Sequence, residues 1–174
     1  MHPLVGEAAH ALGLVPIVAV AVQWLRGVKL DPAAFWMALA FAVSFVADCF
    51  PHRYASQVYP VTQAAIFAAV LLPSHKGVER LVALILCAAA ISILARNAAG
   101  LDVMLHVISW GAISALAWMQ MPNGVLRTCL TLGFGLGAIA WVGFVAYPTF
   151  GWWGAYQVTR LIAVGGFVYA VRAR

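Results

Sequence analysis

Charge is what this sequence has least of. Of its 174 residues only 9% are Asp, Glu, Lys or Arg, whereas 65% are hydrophobic. A soluble domain carries roughly 25% charged residues. At this size it would still leave about 30% of its unfolded surface in water. One aqueous core cannot hide so much apolar surface, and lipid is the solvent that the composition calls for. Cysteine is scarce as well. Cys49, Cys87 and Cys129 lie far apart and form no CxxC pair, so they read as small buried apolar residues rather than redox or zinc ligands. The alternation of a membrane β-barrel over about ten residues is missing. No loop carries a nucleotide-binding glycine motif, and no Ser/His/Asp triad assembles at one depth. Residues 1–10 lack a basic stretch and no small-residue cleavage site follows, so no secretory signal is expected.

What is present is a series of long runs of Ala, Leu, Val and Gly. In hydrocarbon every backbone polar group must be paired internally, and such runs do this as helices. A crossing takes about 20 residues. The fold expected is therefore all-α: a polytopic transmembrane bundle of about seven helices, one domain over 1–174, with spans near 5–25, 33–51, 56–73, 77–97, 101–119, 124–147 and 150–172. The breaks carry turn chemistry. Arg26-Gly27 through Asp31-Pro32 closes the first span, with Pro32 at a helix start. Pro51-His52-Arg53, Pro73 to Gly77, Pro122-Asn123-Gly124 and Tyr147-Pro148-Thr149 close others. Without the break from Arg96 to Asp102, the stretch 77–119 would be too long for one crossing.

Orientation follows from the basic residues. One side holds Arg26, Lys29, Lys76, Arg80, Arg127, Arg172 and Arg174, against Arg53, Arg96 and Arg160 at or near the other. The C-terminus is then expected in the cytoplasm and the N-terminus outside, in a bacterial inner membrane. The net charge of +5 is spread over short loops, which reads as topology and not as a nucleic-acid surface. Gly133, Gly135 and Gly137 make the sixth span a packing helix without chemistry of its own. Trp36, Tyr147, Trp152 and Trp153 near span ends read as an interfacial aromatic belt.

A faint internal repeat is present. Tyr59-Pro60-Val61-Thr62-Gln63 in the third span matches Tyr156-Gln157-Val158-Thr159-Arg160 in the seventh. Both spans run the same way, as a 3+1+3 pseudo-repeat demands. Seven spans with parallel three-helix halves resemble the sugar-transporter and PQ-loop architecture. The Pro-Gln signature of that family is absent, so the resemblance carries no residue roles.

The polar residues fall in a pattern. Glu7, Asp48 and Asp102 lie at the outer ends of spans, each a turn from a histidine: His10, His52 and His106. Spacings of three and four put both members on one helix face. Arg160 lies about ten residues inside the seventh span, where a bare guanidinium costs several kcal/mol. Three readings stay open. The bland one is interfacial caps and ion pairs, with Asp31 and Glu79 as solvated loop partners of Lys29 and Arg80. The second is an outward-facing polar cavity binding or transporting a small solute or lipid headgroup, with ligand contacts from Asp48, Tyr59, Gln63, Asp102, His106, Tyr156 and Arg160. There Arg160 would clamp an anionic group. The third is a lipid-directed enzyme built on a divalent metal, zinc or iron, held by Asp48, His52, Asp102 and His106. That arrangement resembles the alkaline ceramidase and progestin-receptor-like group, although the seventh span contains no histidine to match its HxxxH pair. The bilayer is the expected partner in each case. A homo-oligomer or an accessory role in a membrane complex is the remaining alternative.

Overall fold

The computed structural model describes residues 11–49, 53–71 and 101–173, with all side chains in them except those at 48, 49, 53–58, 101 and 102. These residues are all-helical. A 3-10 turn over Leu12–Leu14 leads into α1 (Val15–Leu25), followed by α2 (Pro32–Cys49), α3 (Arg53–Leu71), α4 (Leu101–Gln120), α5 (Val125–Ala146) and α6 (Phe150–Arg172). No strand occurs among the described residues. Two of these helices are long and apolar enough to cross a membrane, over Val103–Gln120 and Val125–Ala146, while Leu12–Leu25, Pro32–Ala47 and Tyr59–Leu71 are shorter apolar stretches. The expected span at 77–97 lies outside the described residues, as do Glu7, His10, His52, His75, Arg96 and Asn97.

The helix ends follow from local chemistry. α1 stops at Gly27, whose φ of +76° only glycine adopts freely. There Gly27 N–H donates to Trp24 O at 3.0 Å and Val28 N–H to Gln23 O at 3.0 Å. This is the paired bonding of a Schellman cap, which satisfies two orphan carbonyls. Asp31 then opens α2, its Oδ1 accepting from Ala33 N–H at 2.9 Å. Thr149 caps α6 in the same way, accepting from Trp152 N–H at 3.4 Å. α3 begins three residues earlier than the expected 56, which places Pro60 in its interior. The ring of Pro60 is fully buried, so packing around it offsets the backbone bond it cannot make.

Side-chain contacts give the relative directions of the helices. Tyr59 meets His106 and Gln63 meets Trp110. Both partners advance by four residues, so α3 and α4 run parallel. Across α5 and α6 the partners move in opposite senses, from Trp141 with Tyr156 to Gly133 with Ala163, so that pair is antiparallel. Each helix touches its neighbours along the chain, and α1 touches α6. The six helices thus close into a ring. Its centre is filled by phenylalanines: Phe41 of α2 lies 5.8 Å from Phe67, 5.9 Å from Phe134 and 5.7 Å from Phe167.

α5 and α6 approach closely because glycine leaves room. A Cβ on Gly133 would lie 2.7 Å from Ala163 Cβ and 2.8 Å from Thr159 O, and one on Gly137 would collide with the Trp110 ring. Ser114 of α4 adds a bond to the same helix, donating to Thr131 O at 2.8 Å. The packing role expected for these glycines is therefore what their surroundings support. Gly133→Val should force the two helices apart and cost roughly 1–3 kcal/mol. Gly165→Ala, which meets nothing within 4 Å, should hold or raise the unfolding midpoint, since alanine in a helix stabilises by about 0.4–1 kcal/mol. Equal midpoints for the two variants would contradict the close approach.

Candidate functional site

The polar side chains converge from five helices on one level of the ring, one to three turns from the end where α3, α4 and α6 begin. Gln63 and His106 are buried almost completely, at 2% and 1% exposure. A buried amide without partners costs about 1–3 kcal/mol. Gln63 avoids that cost by bonding two other helices. Its Nε2 donates to Ala40 O of α2 at 3.2 Å, and its Oε1 accepts from Trp110 Nε1 of α4 at 3.0 Å. Those two bonds also fix which end of the amide is oxygen.

One turn earlier on α3, Tyr59 presents its hydroxyl to the edge of the His106 ring, 3.3 Å from Nδ1 and 3.4 Å from Nε2. The same hydroxyl lies 3.0 Å from that of Tyr156 on α6. His106 is stacked on Trp141 of α5, with centroids 4.6 Å apart and planes 14° apart, and tilts against Trp110 at 4.4 Å. Trp110 is in turn stacked on Tyr156 at 5.3 Å and 5°. Five rings thus form one continuous aromatic body.

Arg160, one turn below Tyr156 on α6, is half-buried. Side chains on a helix lean toward its N-terminus, and this one does so. Its Nη1 donates to Gln157 Oε1 at 3.3 Å and its Nη2 to Ser44 Oγ of α2 at 3.4 Å. The guanidinium carbon is 5.8 Å from the Tyr156 ring centre. Ser44 donates its own hydrogen to Phe41 O at 2.7 Å, so it faces Arg160 as an acceptor. Thr159 is tied back in the same way to Tyr156 O at 2.8 Å.

Of the side chains expected at a ligand site, Tyr59, Gln63, His106, Tyr156 and Arg160 are thus brought together. The side chains of Asp48, His52 and Asp102 lie outside the described residues, and with them three of the four expected metal ligands. Among the described residues no three His, Cys, Asp or Glu gather, and His106 is surrounded by aromatic rings. The cavity lined by Ser44, Gln63, Thr159 and Arg160 measures about 20 Å³, room for about one water. An open cavity was expected from the sequence; in this conformation the groups bond one another instead. Larger hollows occur at the opposite end, about 650 Å³ between α1 and α2 and about 510 Å³ around Asn123 and Arg127.

Sequence reasoning missed Trp110 and Trp141. Tryptophan in an apolar run looks like core or belt, and the glycines of α5 mask a ring that stacks on His106. The spacing of Trp110 four residues after His106 was the available signal, since it puts both on one face. No family model, curated protein or solved structure matches this chain.

Gln63→Leu keeps the volume but leaves Trp110 Nε1 with no acceptor. It should lower stability by about 1–3 kcal/mol, measured as the unfolding midpoint of detergent-purified protein. A Gln63→Leu midpoint equal to wild type would show that the amide bonds contribute nothing.

Proposed function

We propose that this chain is a multi-pass integral membrane protein of seven helices, which binds a small anionic solute or lipid headgroup at the Arg160 cluster and carries it across the bilayer. What supports the bilayer is an inverted distribution of polarity. Only 33% of each long apolar stretch in α4 and α5 is buried, whereas a helix at the core of a soluble protein is mostly buried. Ile108 and Ile139 are each 62% exposed, while Gln63, His106 and Thr159 face inward. In water this exterior would be one large sticky patch; in lipid it is solvated.

Seven crossings are supported by the parallel course of α3 and α4. The chain leaves α3 at one end of the ring and enters α4 at the other. The intervening 72–100 is long enough in sequence for one return crossing, which takes about 20 residues. One end of the ring gathers Arg26, Lys29, Arg127 and Arg172, which favours that end as cytoplasmic and the N-terminus as external.

The observation that carries the binding reading is Arg160 itself. A guanidinium among apolar helices costs several kcal/mol, and this half-buried one bonds Ser44 of α2 across the ring as well as Gln157 of its own helix. Such a fork takes a carboxylate or phosphate oxygen pair with two parallel bonds. Transport is supported by how the cluster divides. Taking α1–α3 and α4–α6 as halves, α3 faces α6 across the ring and α2 faces α5. The repeated Tyr59–Gln63 and Tyr156–Arg160 segments then lie at equivalent positions, as in parallel repeats about an axis along the membrane normal. The bonds Ser44–Arg160, Tyr59–His106, Tyr59–Tyr156 and Gln63–Trp110 all join one half to the other. A small separation of the halves would break all four of these bonds.

In proteoliposomes the wild-type protein should accumulate isotopically labelled small organic anions saturably. Arg160→Ala, inserted to the same level, should lose at least about tenfold of that uptake. Uptake equal to wild type would contradict the reading.

A further inference from the structure

Building on that reading, we infer that the solute is a small planar aromatic carboxylate rather than a bare anion or a lipid headgroup. The carrying observation is a row of four groups. Gln63 holds the Trp110 indole by its Nε1 at 3.0 Å. The indole lies parallel to the Tyr156 ring, 5.3 Å away with planes 5° apart. The Arg160 guanidinium carbon follows, 5.8 Å from the Tyr156 ring centre. Amide, indole, phenol and guanidinium therefore succeed one another, with flat apolar surface in the middle and hydrogen-bonding groups of different charge at the ends.

The row asks for a ligand of the same pattern. An aromatic ring is held by offset or edge-on stacking against indole and phenol faces, and a carboxylate on that ring reaches the guanidinium fork. The two ends are not interchangeable. Gln63 and Arg160 stand at the same place in the repeated segments, each four residues after its tyrosine, yet one is neutral and the other cationic. The ligand so read has one charged end and one neutral hydrogen-bonding or apolar end. In this conformation Gln63, Trp110 and Arg160 of the row border the cavity of about 20 Å³, far too small for a ring. Entry therefore requires the halves to part, and the ring then replaces contacts that the side chains make with one another.

The test uses the full chain in detergent and three probes at equal millimolar concentration. Benzoate has both the ring and the charge, acetate the charge alone, and benzamide the ring alone. A ligand that binds only the folded protein raises its unfolding temperature in proportion to the logarithm of its concentration. Benzoate is expected to do so, with acetate and benzamide at least about tenfold weaker in apparent affinity. Arg160→Gln should reduce the benzoate shift to that of benzamide. Arg160→Lys should retain part of it, since charge remains but the fork is lost. Acetate matching benzoate would remove the rings from recognition, and benzamide matching it would remove Arg160. Stabilisation by phosphatidylglycerol micelles without any by benzoate would make the ligand a lipid headgroup. Each of these overturns the inference. Absence of any shift in a protein that still accumulates labelled anions in vesicles sinks the ring specificity alone, and absence of both sinks the carrier reading with it.

Discussion

A buried amide must find partners, and Gln63 finds them on two other helices, Ala40 O of α2 and Trp110 Nε1 of α4. Helices with apolar surfaces can slide past one another at little cost, because one methyl contact replaces another. Directional bonds remove that freedom. With Gln63 fixed, Tyr59 one turn above is set against His106, and Trp110 is set flat against Tyr156. Tyr156 in turn places Arg160 beneath it on α6. The register of four helices thus depends on one amide whose alternative is an unsatisfied group in a dry interior.

The same cluster explains why the ring can be apolar outside and polar within. Phe41, Phe67, Phe134 and Phe167 fill the centre just below it, and glycines let α5 lie close to α6. Dispersion alone would hold such a bundle in many nearly equal arrangements. The polar groups select one of them, and the bonds Ser44–Arg160, Tyr59–His106, Tyr59–Tyr156 and Gln63–Trp110 run between α1–α3 and α4–α6. On the proposed reading this division is also the working part. The groups that fasten the halves are those a ligand would claim, so closing and binding compete for the same donors and acceptors.

Much of the fold was legible in the sequence because helix ends are local events. Asp31-Pro32, Pro122-Asn123-Gly124 and Tyr147-Pro148-Thr149 each mark a boundary that the structure keeps within a few residues. Pro60 falls inside the expected span 56–73, and α3 does run through it, its ring buried among neighbours. Half of the site was legible too. Tyr59, Gln63, His106, Tyr156 and Arg160 are conspicuous as polar groups within apolar runs. The partners were not. Ser44 attracts little notice as a small hydroxyl one turn from Asp48, and Trp110 and Trp141 look like ordinary apolar residues. That Trp141 stacks on His106 is decided by helices distant in sequence, and no local pattern records it.

The central claim is that two segments nearly a hundred residues apart meet as one cooperative cluster, with the Tyr59 and Tyr156 hydroxyls 3.0 Å apart. A double-mutant cycle of Tyr59→Phe and Tyr156→Phe, read as unfolding free energy of the purified protein, addresses it most directly. If the hydroxyls are bonded, the double variant should differ from the sum of the single effects by about 0.5–3 kcal/mol. Strict additivity, within about 0.3 kcal/mol, would mean that the two tyrosines do not interact and that the halves are not joined there.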